Sequence, residues 1–206
     1  MKKSEARRQA ILDAATGVFH EAGFDRASMS DICARVGYSK ATVYGYFKSK
    51  EELLVAIALD AAEAEFEVAR AALEESGADL GAALAQFGRR FLGFTCSPEA
   101  LAMRRLILAE AGRAGLGNQC YDLGPARVTA LLAALLHDAM EAGQLRMAGS
   151  ELAARHLKAL LEAEWGERLL YRTPDAPSPD QIAGAAERAA AAFMAAYRPA
   201  EAPRPA

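Results

Sequence analysis

The chain is 206 residues long, 52% hydrophobic and 25% charged, enough apolar material for a small module beside a larger core. No run reaches the roughly 20 apolar residues that span a bilayer, and the basic opening MKKSEARRQA leads into no apolar signal core, so a cytoplasmic protein is expected. The net charge of −3 hides a basic head, with nine Lys/Arg against five Asp/Glu in residues 1–50, on an acidic body, the split expected where one end meets phosphate.

In chain order, the first helix is expected from about residue 4 to 22, with Ile11, Ala15, Val18, Phe19 and Ala22 on one stripe and Gly23 ending it. Ser28 and Asp31 have the spacing of a capping box and open a second helix that buries Ile32 and Val36. Gly37 suits the left-handed exit from that helix. Ser39 then caps a third helix with Val43 and Phe47 one turn apart. Ser49 and Glu52 have capping-box spacing again, opening a long helix that carries Leu53, Ile57 and Ala61 to about residue 75. Further helices are expected from Asp79 to about Phe94, from Ser97-Pro98 to near Gly112, from Pro125 to Ala142, from Ser150 to Tyr171 and from Asp180 to Tyr197. Residues 112–124 are glycine-rich and expected to be irregular or kinked, 173–179 to be a loop, and 199–206 a proline-rich disordered tail. No strand-like alternation appears, so the expected fold is all-α. The expected domains are a small one over residues 1–52 and a larger helical one over 53–198.

Two short helices joined by a glycine turn, the second with polar and aromatic tips, make a helix-turn-helix, which lays its second helix in the DNA major groove. The stretch ARRQAILDAATGVFHEAGFDRAS, followed by the turn and by YGYFKSKEELL, resembles the DNA-binding domain of the TetR (tetracycline-repressor) family over residues 4–55. The resemblance implies a DNA interface built from Ser28, Ser39, Lys40, Ala41, Thr42, Tyr44, Gly45, Tyr46, Lys48 and Lys50. Thr42 suits a base edge or a thymine methyl, and the tyrosine hydroxyls suit phosphates. Lys48 and Lys50 bracket the start of the fourth helix as a phosphate clamp. Lys2, Lys3, Arg7 and Arg8 form a basic arm able to track the backbone. Gly45 departs from the family, where a larger side chain is usual.

Residues 80–170, through LAMRRLILAEAGRAG, GPARVTALLAALLHDAMEAGQLR and SELAARHLKALLE, resemble the AefR-type ligand-binding domain found in part of that family. Phe87, Phe91, Phe94, Met103, Leu106, Ile107 and Trp165 recur at helical spacing and either fill a core or border an apolar pocket. In the second case Tyr121 and Arg104 or Arg105 supply its polarity. The resemblance implies a homodimer in which the last two helices of each subunit pair, through Leu157, Leu160, Leu161, Trp165 and Leu169 on one and Ile182, Ala186, Ala189, Phe193 and Tyr197 on the other. The implied function is a regulator, most simply a repressor of an inverted-repeat operator, released by a small apolar effector. A platform that dimerises without a ligand is the alternative.

Cys33, Cys96 and Cys120 have no C-x-x-C spacing and suit a reducing compartment. Cys33 is expected to be a small buried residue. His20, His137 and His156 share no ligand spacing. No nucleophile–base constellation stands out, so neither catalysis, metal nor cofactor is expected.

Overall fold

The computed structural model describes residues 2–74, 79–112, 115–171 and 176–199, and among them every regular element is helical. The helices are α1 (Lys2–Ala22), α2 (Met29–Val36), α3 (Lys40–Tyr46), α4 (Lys50–Glu74), α5 (Leu80–Thr95) and α6 (Pro98–Glu110). They continue with α7 (Leu116–Leu123), α8 (Pro125–Glu141), α9 (Ser150–Glu162), α10 (Gly166–Leu170) and α11 (Pro179–Ala196). The expected tail lies, beyond Pro199, outside the described residues.

The chain divides into two compact units. The first holds the residues up to Ala61 together with Ala102–Cys120, and the second holds Ala62–Leu101 and the residues from Tyr121 onward. This differs from the expected boundary at 52/53. Leu53, Leu54, Ile57 and Ala58 of α4 are buried with the helices of the first unit, which moves the division a further two turns along α4. Met103, Leu116 and Cys120 are buried in the same cluster, so the α6–α7 segment belongs to the first unit too. Residues 112–124 are expected to be irregular or kinked. Gly115, at φ 72°, turns the chain there, and α7 follows, in which Leu116 and Cys120 bury one face a turn apart.

In the first unit, Ile11, Ala15, Val18 and Phe19 of α1 pack with Ile32 of α2 and Val43 of α3. Burying a side chain of this size contributes about 1.5–3 kcal/mol. The caps fix where the short helices begin. The Asp31 N–H donates to Ser28 Oγ at 3.2 Å while the Ser28 N–H donates to Asp31 Oδ2 at 3.1 Å. Gly37 closes α2 at φ 72°, its N–H donating to Cys33 O.

In the second unit, α11 packs on α5 and α9, and α8 packs on α9. Phe87 and Phe91 stack with centroids 5.4 Å apart in a core that includes Leu84, Leu132, Leu136, Leu157 and Phe193. Gly88 brings the helices together: a Cβ there would lie 2.5 Å from Leu161 Cδ2 and 3.1 Å from Ala186 Cβ. The end of α11 is held by its own rings and by two outside residues. Tyr197 stacks on Phe193 at 4.5 Å, its hydroxyl lies 2.7 Å from His156 Nδ1, and Arg146 Nε donates to Ala196 O at 3.2 Å.

This packing corrects the expected dimer seam. Leu157, Leu161, Leu169, Ala186, Ala189 and Phe193 are all buried inside the unit itself, and Leu160, Trp165 and Ile182 are half-buried against the same core. An apolar stripe at helical spacing marks a face that must be covered. Here α5 covers the stripe of α11, and α8 and α11 cover most of that of α9, from within the chain. The outward faces of α9 and α11 carry instead Leu152, Ala159 and Ala163 on or just past the first, and Ala191, Ala192 and Ala195 on the second.

Candidate nucleic-acid interface

Val43 is fully buried and fixes the orientation of α3. At 100° per residue, the pole opposite Val43 is occupied by Ala41 and Gly45, both exposed. Lys40 and Tyr44 rise on one flank of that pole, Thr42 and Tyr46 on the other. Tyr44 is 41% exposed, high for a tyrosine. The Thr42 N–H donates to Ser39 Oγ at 3.1 Å, and the two hydroxyls lie 2.9 Å apart, so the cap also orients the Thr42 side chain. Tyr46 Oη lies 3.3 Å from Ser4 Oγ on α1. The Ser28 hydroxyl donates to Asp31 Oδ2 at 2.6 Å and is part of the cap.

The three cations near the base of α3 are placed differently from one another. Lys40 stands at the helix start, exposed. Lys48 Nζ donates to Tyr44 O at 2.8 Å and so satisfies a carbonyl at the end of α3, where a cation also suits the helix dipole. Its backbone N–H donates to Glu52 Oε2 at 2.6 Å, so Glu52 reaches back past Ser49 rather than completing the box on Ser49 itself. Lys50 was expected to clamp a phosphate. Its Nζ instead donates to Phe24 O at 2.9 Å, Asp25 O at 3.1 Å and Ala27 O at 3.3 Å, and lies 4.6 Å over the Phe24 ring. Three carbonyls and a ring face occupy this ammonium, which ties the start of α4 to the loop entering α2.

The basic arm divides in the same way. Arg7 is exposed, whereas Arg8 donates to both Asp60 oxygens, at 3.2 and 3.5 Å, with its guanidinium 5.9 Å from the centre of the Phe47 ring. Arg8 thus joins α1, the end of α3 and α4. No local pattern announces this, because the partners are 52 residues apart. The Lys2 and Lys3 side chains lie outside the described residues. Arg35 of α2 pairs with Glu21 of α1 and lies against Gly17, fixing the angle between those helices.

The eight expected pocket residues are not gathered within either unit. Met103 is buried in the first unit, with Leu106 and Ile107 packed against its core. Phe87 and Phe91 are core of the second. Phe94 borders an open groove of about 560 Å³ with Glu67, Val68, Ala71 and Arg90. Tyr121 is exposed, and Trp165 is half-buried, with its indole Nε1 buried and without an acceptor among the described residues. Cys33, Cys96 and Cys120 are buried, and burial pushes the Cys120 thiol up, away from reactive thiolate. His20 and His137 are exposed.

Residues 11–57 match the model of bacterial regulatory proteins of the tetR family, and residues 82–199 match that of the AefR-like transcriptional repressor C-terminal domain. Over 57 residues, 28% of this chain and 29% of the relative, the sequence is 44% identical to the HTH-type transcriptional regulator YvdT of Bacillus subtilis strain 168. The chain spans under a third of the length of such curated relatives. Among solved structures it is similar to a protein described as a TetR-family transcriptional regulator of Mesorhizobium loti MAFF303099, with TM-score 0.85 and 29% identity over 95% of this chain and 98% of that one. It is also similar to the flavonoid-responsive regulator FrrA, with TM-score 0.74 and 29% identity over 98% of this chain and 100% of that one. A capped helix-turn-helix with Lys40 and Tyr44 exposed on α3, joined to an AefR-like domain, places this chain in the TetR family of DNA-binding transcriptional regulators.

Proposed function

We propose that the protein is a cytoplasmic, effector-responsive repressor that binds an inverted-repeat operator as a homodimer. The observation that carries this reading is α3, whose buried Val43 leaves Lys40 and Tyr44 exposed on one flank and Thr42 and Tyr46 half-buried on the other, in a chain with an AefR-like repressor domain. Thr42 reads a base edge, and Lys40, Tyr44, Tyr46 and the Ser28 and Ser39 caps meet phosphates. Ala41 and Gly45 face the groove floor. Lys48 and Lys50 hold the frame of the site rather than the DNA. Two-fold symmetry would set two α3 helices on successive major grooves. The outward faces of α9 and α11 suit the dimer contact: Leu152 is 55% exposed, and the alanines of α11 permit close helix approach.

The similarity to FrrA supports a planar, mostly apolar effector. Such a molecule releases the operator only by preferring one conformation of the protein. A gel-shift titration with a panel of flavonoids, read beside the fluorescence of Trp165, the chain's one tryptophan, tests this. Release of DNA together with a change in Trp165 emission is the expected result. Neither change across the panel would remove the effector from the account. A second reading, a C-terminal domain that dimerises without a ligand, is favoured by the complete burial of Phe87 and Phe91, which leaves those rings nothing to offer a ligand.

A further inference from the structure

Glycines in helices have two common reasons, a backbone that must turn left-handed or a neighbour that would strike a Cβ. Gly37 has the first, at φ 72°, and Gly88 the second, against Leu161 and Ala186. Gly45 has neither. It is helical and exposed, its φ lies outside the left-handed region, and a Cβ built on it meets no atom within 4 Å. Nothing in the chain requires this glycine, and a helix is weakened by having one in place of alanine.

Its position supplies the reason. Gly45 and Ala41 form the outermost ridge of α3, opposite Val43, with Lys40 and Tyr44 exposed on one side and Thr42 and Tyr46 half-buried on the other. We propose that Gly45 is a specificity-determining residue of the DNA interface: its missing side chain lets the α3 backbone lie against the base edges, closer than any larger residue would allow. This rests on the reading of α3 as the recognition helix. A low ridge beside the exposed, longer side chains of Lys40 and Tyr44 seats in a groove with those side chains reaching a phosphate-bearing wall. A ridge without polar side chains has no means of bidentate hydrogen bonding. What it reads is a thymine C5-methyl packed against Ala41 and the Gly45 backbone, and the local shape of the groove.

The experiment uses the full-length protein. Wild type first selects its preferred duplex from a random pool. Its affinity for that duplex and for unrelated DNA is then compared with Gly45→Ala and Gly45→Met, alongside thermal melting. Gly45→Ala should raise Tm by about 2–4 °C, because alanine is the better helix former. It should nevertheless bind the selected duplex roughly tenfold more weakly, the scale of one lost base contact, with affinity for unrelated DNA unchanged. Gly45→Met should lose more. Gly45→Ala binding the selected duplex as tightly as wild type would overturn the proposal. So would a fall in Tm, since the glycine would then serve the chain's own fold. A wild type that enriches no duplex would remove the DNA reading of α3 itself, and this role with it.

Discussion

Two helical glycines, Gly45 near the end of α3 in the first unit and Gly88 inside α5 in the second, stand in opposite surroundings. At Gly88 the added carbon would strike Leu161 and Ala186, so the small residue brings α5 against α9 and α11. At Gly45 it would meet open space. Gly88 serves the packing of its own unit, whereas Gly45 stands on an exposed ridge of α3. Leu161 and Phe193 are sealed inside the second unit, whereas Tyr44 stands on the surface of the first.

The largest effect that would break this comparison lies in the second unit. Leu161 is fully buried, so Leu161→Glu should cost roughly 4 kcal/mol or more and unfold that unit in a urea titration. Leu152→Glu, on the outward face of α9, should change stability by less than about 0.5 kcal/mol but convert dimer to monomer in sedimentation. Leu161→Glu yielding a folded monomer would restore the seam expected from sequence and overturn the packing described here.

Gly88→Val should destabilise by about 1–3 kcal/mol through overpacking, opposite in sign to the expected gain at Gly45. Equal responses at the two sites, read by thermal melting, would erase the contrast between them.

Lys50→Ala sharpens the comparison within the first unit. Its ammonium holds three carbonyls, so the substitution should cost roughly 1–2 kcal/mol, while the salt dependence of DNA binding by the folded variant keeps its slope. Lys40→Ala should do the reverse, leaving stability intact and making the salt slope shallower by about one. A shallower slope for Lys50→Ala would return that lysine to the phosphate clamp.

The smallest effect concerns acid. The Arg188 guanidinium, bonded to both Glu164 oxygens at 2.8 and 2.7 Å, holds the Glu164 carboxyl below the usual carboxylate range. The stabilisation is present above the unfolded-state carboxylate range and is lost as pH falls through the lowered folded value. Glu164→Gln should therefore flatten the acid limb of stability against pH only slightly, because the pair is exposed. An unchanged acid limb in melts between neutral and acidic pH would show that the pair contributes nothing.

The first unit was the more legible in sequence because its signals are local. Ser28 with Asp31, Gly37 and Ser39 fix the turn within a dozen residues, and the YGYFKSKEELL motif confirms its register. What sequence missed there depends on distant partners: Lys50 meets carbonyls more than 20 residues back, and Arg8 meets Asp60 across the unit. In the second unit the stripes on α9 and α11 were legible as apolar, but periodicity cannot say whether the covering surface is another subunit or helices of the same chain. The α6–α7 segment was misplaced for a related reason. Its glycines obscured the Leu116–Cys120 pair that packs into the first unit.

The central claim, that α3 presents a sequence-reading surface, is tested most directly by selection from a random duplex pool followed by competition against unrelated DNA. An enriched inverted repeat is expected, with half-site centres about one helical turn apart or a multiple of it, bound at least about 10³-fold more tightly than unrelated DNA at physiological salt. Recovery of no common sequence, with binding that only follows salt, would contradict it.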